Sequence, residues 1–147
     1  MSDWQSVLAS NGHRITAPRR AVMAVLQRVD VPLDAAAVLA YGRKHHASLG
    51  LVTVYRTLNL FQDLGLVRRV HEKDGCHGYA LASPGHHHTV VCRRCGRAVE
   101  FTGCEEMRML VRRAEAETGF QIEGHMLQLS GLCRHCIKEM RERRASR

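Results

Sequence analysis

The sequence predicts an α+β chain in two parts. A run of short helices closed by a β-hairpin comes first, and a small α/β unit pinned at both ends by cysteines follows. Three observations carry this. The first 65 residues hold several apolar stripes of 3.6-residue period, separated by Pro, Gly and Asn. A strand–turn–strand pattern follows, from Leu66 to Leu81. Two cysteine couplets, Cys92-Arg93-Arg94-Cys95 and Cys133-Arg134-His135-Cys136, then frame the second half.

Each couplet sets two sulfurs one tight turn apart, and four thiolates suit a structural zinc ion with a closed tetrahedral shell. Zinc ribbons usually separate their couplets by about 15–20 residues. Here 37 residues intervene, room for a strand, a helix and more strands. A disulfide pair and a redox-active couplet are the alternatives, although a redox site needs only one couplet. Composition supports the metal. The chain has 147 residues, 45% hydrophobic but only 5% aromatic, so two small lobes would each have a thin core, which a metal can remedy. No apolar run is long enough to span a bilayer, and the amino terminus lacks a signal-peptide pattern. The absence of a signal points to the cytoplasm, where thiols stay reduced.

The net charge of +8 and sequence pI near 9.7 suggest a polyanionic partner; the bland alternative is a merely soluble basic surface. Charge does not localise the activity, because each half carries a net +4. Topology has to decide.

In order, Trp4, Val7 and Leu8 form one face of a short opening helix ending near Asn11-Gly12. Thr16 reads as the N-cap of a second helix with Pro18 in its first turn. Val22, Val25, Leu26 and Val29 are its core stripe. Pro32-Leu33-Asp34 breaks it, and Asp34 caps a third helix running through Val38 and Tyr41. Gly50 interrupts before a fourth, capped by Thr53, with Val54, Leu58, Phe61 and Leu64 inward and Gly65 as its stop. The outer face of this helix carries Tyr55, Arg56, Asn59 and Gln62. Such a face reads base edges and holds phosphates, or is simply solvated.

The hairpin decides between those readings. Leu66–Val70, a turn at Lys73-Asp74-Gly75 and Tyr79–Leu81 complete a winged helix-turn-helix, whose last helix enters the major groove. Arg14, Arg19 and Arg20 then supply phosphate contacts.

Ser83-Pro84-Gly85 is a breaker, read as a hinge between a DNA-binding domain at 1–82 and a dimerisation domain at 86–147. Thr89–Val91 enters the first couplet as a strand and Arg97–Phe101 leaves it as another. Cys104 to Thr118 reads as a helix with Met107, Leu110, Val111 and Ala114 inward, stopped by Gly119. Gly124 to Leu129, carrying His125, is a further strand, and Ile137 to Arg144 a basic terminal helix. A small open sheet leaves edges, which a second copy can satisfy.

His86, His87 and His88, beside Glu100 and with His125 downstream, form a second constellation. In a strand His86 and His88 share one face and His87 the other, which permits two metal sites. Imidazole and carboxylate donors make more exchangeable sites than four thiolates do, suiting a sensor; a solvated polar turn is the alternative. Cys76 and Cys104 fall outside the couplets and read as reduced thiols.

The chain also resembles a family, the ferric uptake regulators and their zinc-, manganese-, nickel- and peroxide-sensing relatives. The resemblance rests on Arg14-Ile15-Thr16-Ala17-Pro18-Arg19, on Thr53-Val54-Tyr55-Arg56-Thr57-Leu58, on His86 through Gly96, on Glu100-Phe101, and on Gly131-Leu132-Cys133 with Cys136. It implies a homodimeric, metal-activated repressor that is not an enzyme. By position, the four couplet cysteines look like the structural zinc site, and Tyr55 like a base-contacting tyrosine beside Arg56. His87 and Glu100 look like hinge ligands; His86, His88 and His125 look like ligands of a second site. Departures accompany this. Thr89 stands where a second hinge histidine is expected, Ala80 or Ala82 and Pro32 where further ligands are, and Met107 where a helix glutamate is. Glu105 and Glu106 lie within one turn of Met107, and His71, His77 or Cys76 could substitute at the hinge.

The expected cofactors are a structural zinc and a second, regulatory divalent metal, zinc first and ferrous iron second. Peroxide, manganese or nickel sensing is a more distant alternative, and Glu100 stands where peroxide sensors tend to carry aspartate. The expected partners are a double-stranded DNA operator and a second copy. Two other classes are the rivals. A zinc deaminase needs H-x-E with P-C-x-x-C, but Val91 precedes Cys92. A zinc-ribbon RNA-binding protein would lack the helix-plus-hairpin layout.

Overall fold

A computed structural model describes residues 3–71, 77–83, 85–103 and 105–145. Four helices come first: α1 (Trp4–Ser10), α2 (Ala17–Leu26), α3 (Ala35–Gly42) and α4 (Leu51–Asp63). The hairpin strands β1 (Val67–His71) and β2 (His77–Leu81) pair antiparallel, with Arg69 opposite Tyr79. The remainder is β3 (His87–Cys92), β4 (Ala98–Thr102), α5 (Glu105–Thr118), β5 (Gln128–Gly131) and α6 (Arg134–Ala145). Its sheet runs β4-β3-β5, with β4 antiparallel and β5 parallel to β3. The α+β architecture is thus the one expected. The turn at 73–75, Pro84, Cys76 and Cys104 lie outside the described residues.

The local signals explain the starts and stops. Thr16 Oγ1 accepts from the Arg19 amide at 3.5 Å, and Asp34 Oδ1 accepts from the Ala37 amide at 2.7 Å. Asp34→Ala should cost about 1 kcal/mol of stability, the usual worth of an N-cap, read as a lowered urea midpoint. Gly65, at φ +67°, ends α4 where a residue with a Cβ would be strained.

Several expectations need correction. Thr53 does not cap α4: the cap is Gly50, whose carbonyl accepts from the Val54 amide at 3.0 Å, which places Thr53 inside the first turn. Glycine tolerates the extended cap conformation well, so the helix starts three residues early. Val29 lies beyond α2, which closes at Leu26. Leu33 forms an antiparallel bridge with Tyr79 through two backbone hydrogen bonds, of 3.0 and 2.7 Å, which lays a third segment beside the two strands of the wing. A single apolar residue between Pro32 and Asp34 carries no strand period to reveal it. His125 precedes β5 rather than lying in it, and α6 begins at Arg134 rather than Ile137.

The largest correction concerns packing. Leu8, Val22, Leu26, Val38, Val54, Leu58, Phe61 and Val67 form one core beneath the hairpin. Beyond residue 85, the buried apolar side chains among the described residues are Cys92 and Cys136. The stripe on α5 is only partly covered: Met107, Val111 and Ala114 are half-buried, Leu110 is 57% exposed, and no residue of the helix is fully buried. Periodicity finds an apolar face, but it does not say whether the chain itself covers that face.

Candidate metal centres and nucleic-acid face

The four couplet cysteines converge. Cys92 ends β3, Cys95 follows in the turn, Cys133 directly precedes α6 and Cys136 lies in its first turn. The parallel register setting Cys92 beside Gly131, with the Arg93 amide donating to Gly131 at 2.9 Å, brings the couplets together. The four sulfurs lie within 4.8 Å of one another, and Cys95 and Cys133 are 3.8 Å apart at sulfur. That is far beyond a disulfide, and all four are free thiols. Tetrahedral zinc with Zn–S bonds of about 2.3 Å separates its sulfurs by roughly 3.8 Å.

The charges fit as well. Backbone N–H groups of Cys133, Cys95 and Arg94 pull the Cys92 thiol down to about 5, against burial. The Cys136 amide lowers Cys133. Burial first, and then the neighbouring sulfurs, push Cys136 up to about 12. Four mutually close thiolates repel one another, and a divalent cation removes that conflict.

The second cluster joins His86, His88 and His125, whose donor atoms also lie within 4.8 Å of one another. His86 and His125 meet at Nε2, 2.9 Å apart. His88 is 2% exposed, and its Nε2 is buried without a hydrogen-bond partner. Burial first, then His86, His125 and His87, lower its pKa and keep the ring neutral, the form that ligates a metal. Gly103 closes the cradle: a Cβ there would come within 2.9 Å of His88 Nε2. An orphaned buried nitrogen facing two further imidazoles fits a divalent cation. Glu105 is not part of this group; it pairs with Arg108 at 3.5 Å.

His87 and Glu100 are not drawn into such a group. They line a cleft of about 510 Å³ between the hairpin and the second sheet, with Arg68, His71, His77 and Ser83. Glu100 Oε1 is 2.5 Å from Arg68 Nη1, and the Ser83 amide donates to both carboxylate oxygens at 3.1 Å. Arg68 Nη1 also donates to the Leu81 carbonyl. Burial lowers the Arg68 pKa, and Glu100 opposes that shift. A second clamp lies nearby. The Gln128 side chain accepts from the His71 amide at 2.9 Å and donates to the His71 carbonyl at 2.7 Å. Sequence reasoning missed Arg68 and Gln128, because neither belongs to a motif and both act across long chain separations.

On α4, Thr53, Tyr55, Arg56, Asn59 and Gln62 are exposed, as are Leu51 and Val52 at its amino-terminal end. Arg14 and Arg20 are also at the surface, whereas Arg19 is half-buried and its Nη1 donates to the Arg14 carbonyl.

The model of the Ferric uptake regulator family matches residues 10–130. The Ferric uptake regulation protein of Vibrio cholerae is 34% identical over 135 residues, covering 90% of this chain and 89% of that one. That of Escherichia coli K12 is 33% identical over 147 aligned positions, 90% of each chain. Among solved structures, holo XcZur superposes with a TM-score of 0.74 at 26% identity, covering 92% of this chain and 94% of that one. A zinc uptake regulator complexed with zinc and DNA superposes at 0.80 with 23% identity, covering 95% and 94%, a likeness of fold alone. With the match spanning most of its length, this chain belongs to the ferric uptake regulator family of metal-responsive, DNA-binding transcriptional regulators, which are not enzymes.

Proposed function

We propose that this regulator is a zinc-responsive repressor of metal-uptake genes, acting in the cytoplasm as a homodimer on double-stranded operator DNA. The observation that carries zinc is the donor set of His86, His88 and His125, all nitrogen, with His88 buried and its Nε2 unpartnered. Three imidazoles suit zinc better than the oxygen-rich sets that harder cations prefer. Iron is the second reading, favoured by the names of the relatives that are 33–34% identical.

In this reading Cys92, Cys95, Cys133 and Cys136 hold a structural zinc. Residues 1–82 read DNA, 83–85 form the hinge and 86–147 dimerise. Regulatory loading at the trio supplies a crosslink between β3 and the loop ahead of β5. His125 then fixes that loop, and three residues on Gln128 grips the backbone of His71, the last residue of β1. The wing and α4 are thereby set relative to the dimer. Tyr55, Arg56, Asn59 and Gln62 face base edges and phosphates, with Thr53, Arg14, Arg19 and Arg20 alongside. Loading acts only through tighter binding to the DNA-competent arrangement.

Operator affinity measured at buffered free zinc, ferrous iron, manganese and nickel, with the thiolate zinc retained, tests this reading. Zinc is expected to tighten binding by roughly 5–150-fold, the usual range of an allosteric coupling. Arg56→Ala should cost about 1–3 kcal/mol of operator binding and leave the dimer intact. An operator gripped equally well with the trio empty would end the proposal.

A further inference from the structure

We propose that Arg68 is the resident cation of the hinge, so that exchangeable metal loads at the histidine trio and not in the cleft holding His87 and Glu100. The inference deepens the proposed function and rests on its assignment of the trio as the regulatory site. It departs from the resemblance, which implies a hinge metal on His87 and Glu100.

A divalent cation needs several donors with free lone pairs pointing at one place. Glu100 has already committed much of its acceptor capacity. Oε1 carries the Arg68 guanidinium at 2.5 Å, and both oxygens take the Ser83 amide at 3.1 Å. The cation already there cannot step aside by losing its proton, because an arginine side chain stays charged. Nor can it swing freely into water: its side chain is 19% exposed, and the same Nη1 also serves the Leu81 carbonyl. Displacing it would leave a half-buried guanidinium without its carboxylate, the costly half of breaking a part-buried ion pair. An incoming metal would also face a fixed positive charge in the position it needs.

The position of Arg68 gives the pair a metal's mechanical task. Arg68 is on β1 of the wing, Glu100 on β4 of the second sheet and Ser83 in the connection between them. One ion pair therefore ties three segments across the hinge. Gln128 ties His71 beside it, again without metal. At the trio the situation is reversed: the buried His88 Nε2 has no partner, and no arginine or lysine is bonded to it.

The test counts metal on the full-length dimer with the thiolate zinc retained, by zinc titration against a chelator of known affinity. Wild type should take up one exchangeable equivalent per chain. Glu100→Gln, which keeps shape and removes charge, should keep that equivalent with an affinity within about threefold, since it alters no ligand of the trio. His88→Ala should lose it. Two exchangeable equivalents in wild type, with one lost in Glu100→Gln, would overturn the proposal. The clamp has its own readout in protein whose trio is empty. Arg68→Met should raise the rate of proteolytic cutting near residues 82–86 by about fivefold or more, because cleavage follows the open population. An unchanged rate would also overturn it. Neither readout involves DNA, so a protein that meets both and ignores its operator would sink the proposed function alone.

Discussion

Cys92→Ser is expected to release the proposed structural zinc and unfold the second half of the chain while the first half stays folded. The asymmetry follows from where the apolar core lies. Leu8, Val22, Leu58, Phe61 and their neighbours pack among α1 to α4 and the hairpin, and none of that core comes from beyond β2. In the second half, Cys92 and Cys136 are the buried apolar residues among those described. Three short strands and two exposed helices cannot offset the entropy of ordering about sixty residues without a further source of stability. Structural zinc in small finger domains contributes roughly 10–16 kcal/mol, more than a whole domain usually has to spare. A serine hydroxyl supplies neither the thiolate charge nor the soft donor. Zinc content, far-UV circular dichroism and size-exclusion chromatography together check the result. A Cys92→Ser protein with its full zinc and an unchanged melt would remove the structural role.

Leu110→Glu is expected to split the proposed dimer and, with it, strong operator binding. Leu110 and Met109 project exposed from α5, which has no fully buried residue, and Val99, Met126 and Leu129 are exposed on and beside the second sheet. Large apolar side chains left exposed in this number are the raw material of an interaction site. Strands β4 and β5 are both sheet edges, so a second copy is the partner that can cover this face in a closed, two-fold way. Lost leucine burial costs about 1.5–3 kcal/mol per copy, and symmetry counts it twice. Burying the new carboxylates adds to this, so the dimer constant should weaken by at least about two decades. Light scattering reads the mass, and an operator titration reads the coupled loss, since a monomer presents one recognition helix rather than two. A Leu110→Glu protein that remains dimeric would place the interface elsewhere.

What was legible in the sequence was whatever depends on near neighbours. The caps at Thr16 and Asp34, the stop at Gly65 and the inward residues of α4 follow from hydrogen bonds and periods that span a few residues. The doubled couplets announced four converging thiols because their spacing within each pair is itself local. The histidine run announced donors, and its position by resemblance singled out His86, His88 and His125.

Partners far apart along the chain were another matter. The Leu33 bridge to Tyr79, the Arg68 pair with Glu100 and the Gln128 grip on His71 each join residues more than 30 positions apart. Nothing in the neighbourhood of either member specifies the other. Glu100 shows why this matters for function. Its sequence surroundings present a carboxylate beside histidines, and only the folded chain delivers the guanidinium that claims it. The α5 stripe is the complementary case. The sequence alone determined that an apolar face exists, whereas tertiary structure decided that the described residues cover it only in part, leaving Leu110 exposed. Periodicity records how side chains are distributed around an axis, and burial depends on what the rest of the molecule brings to that side.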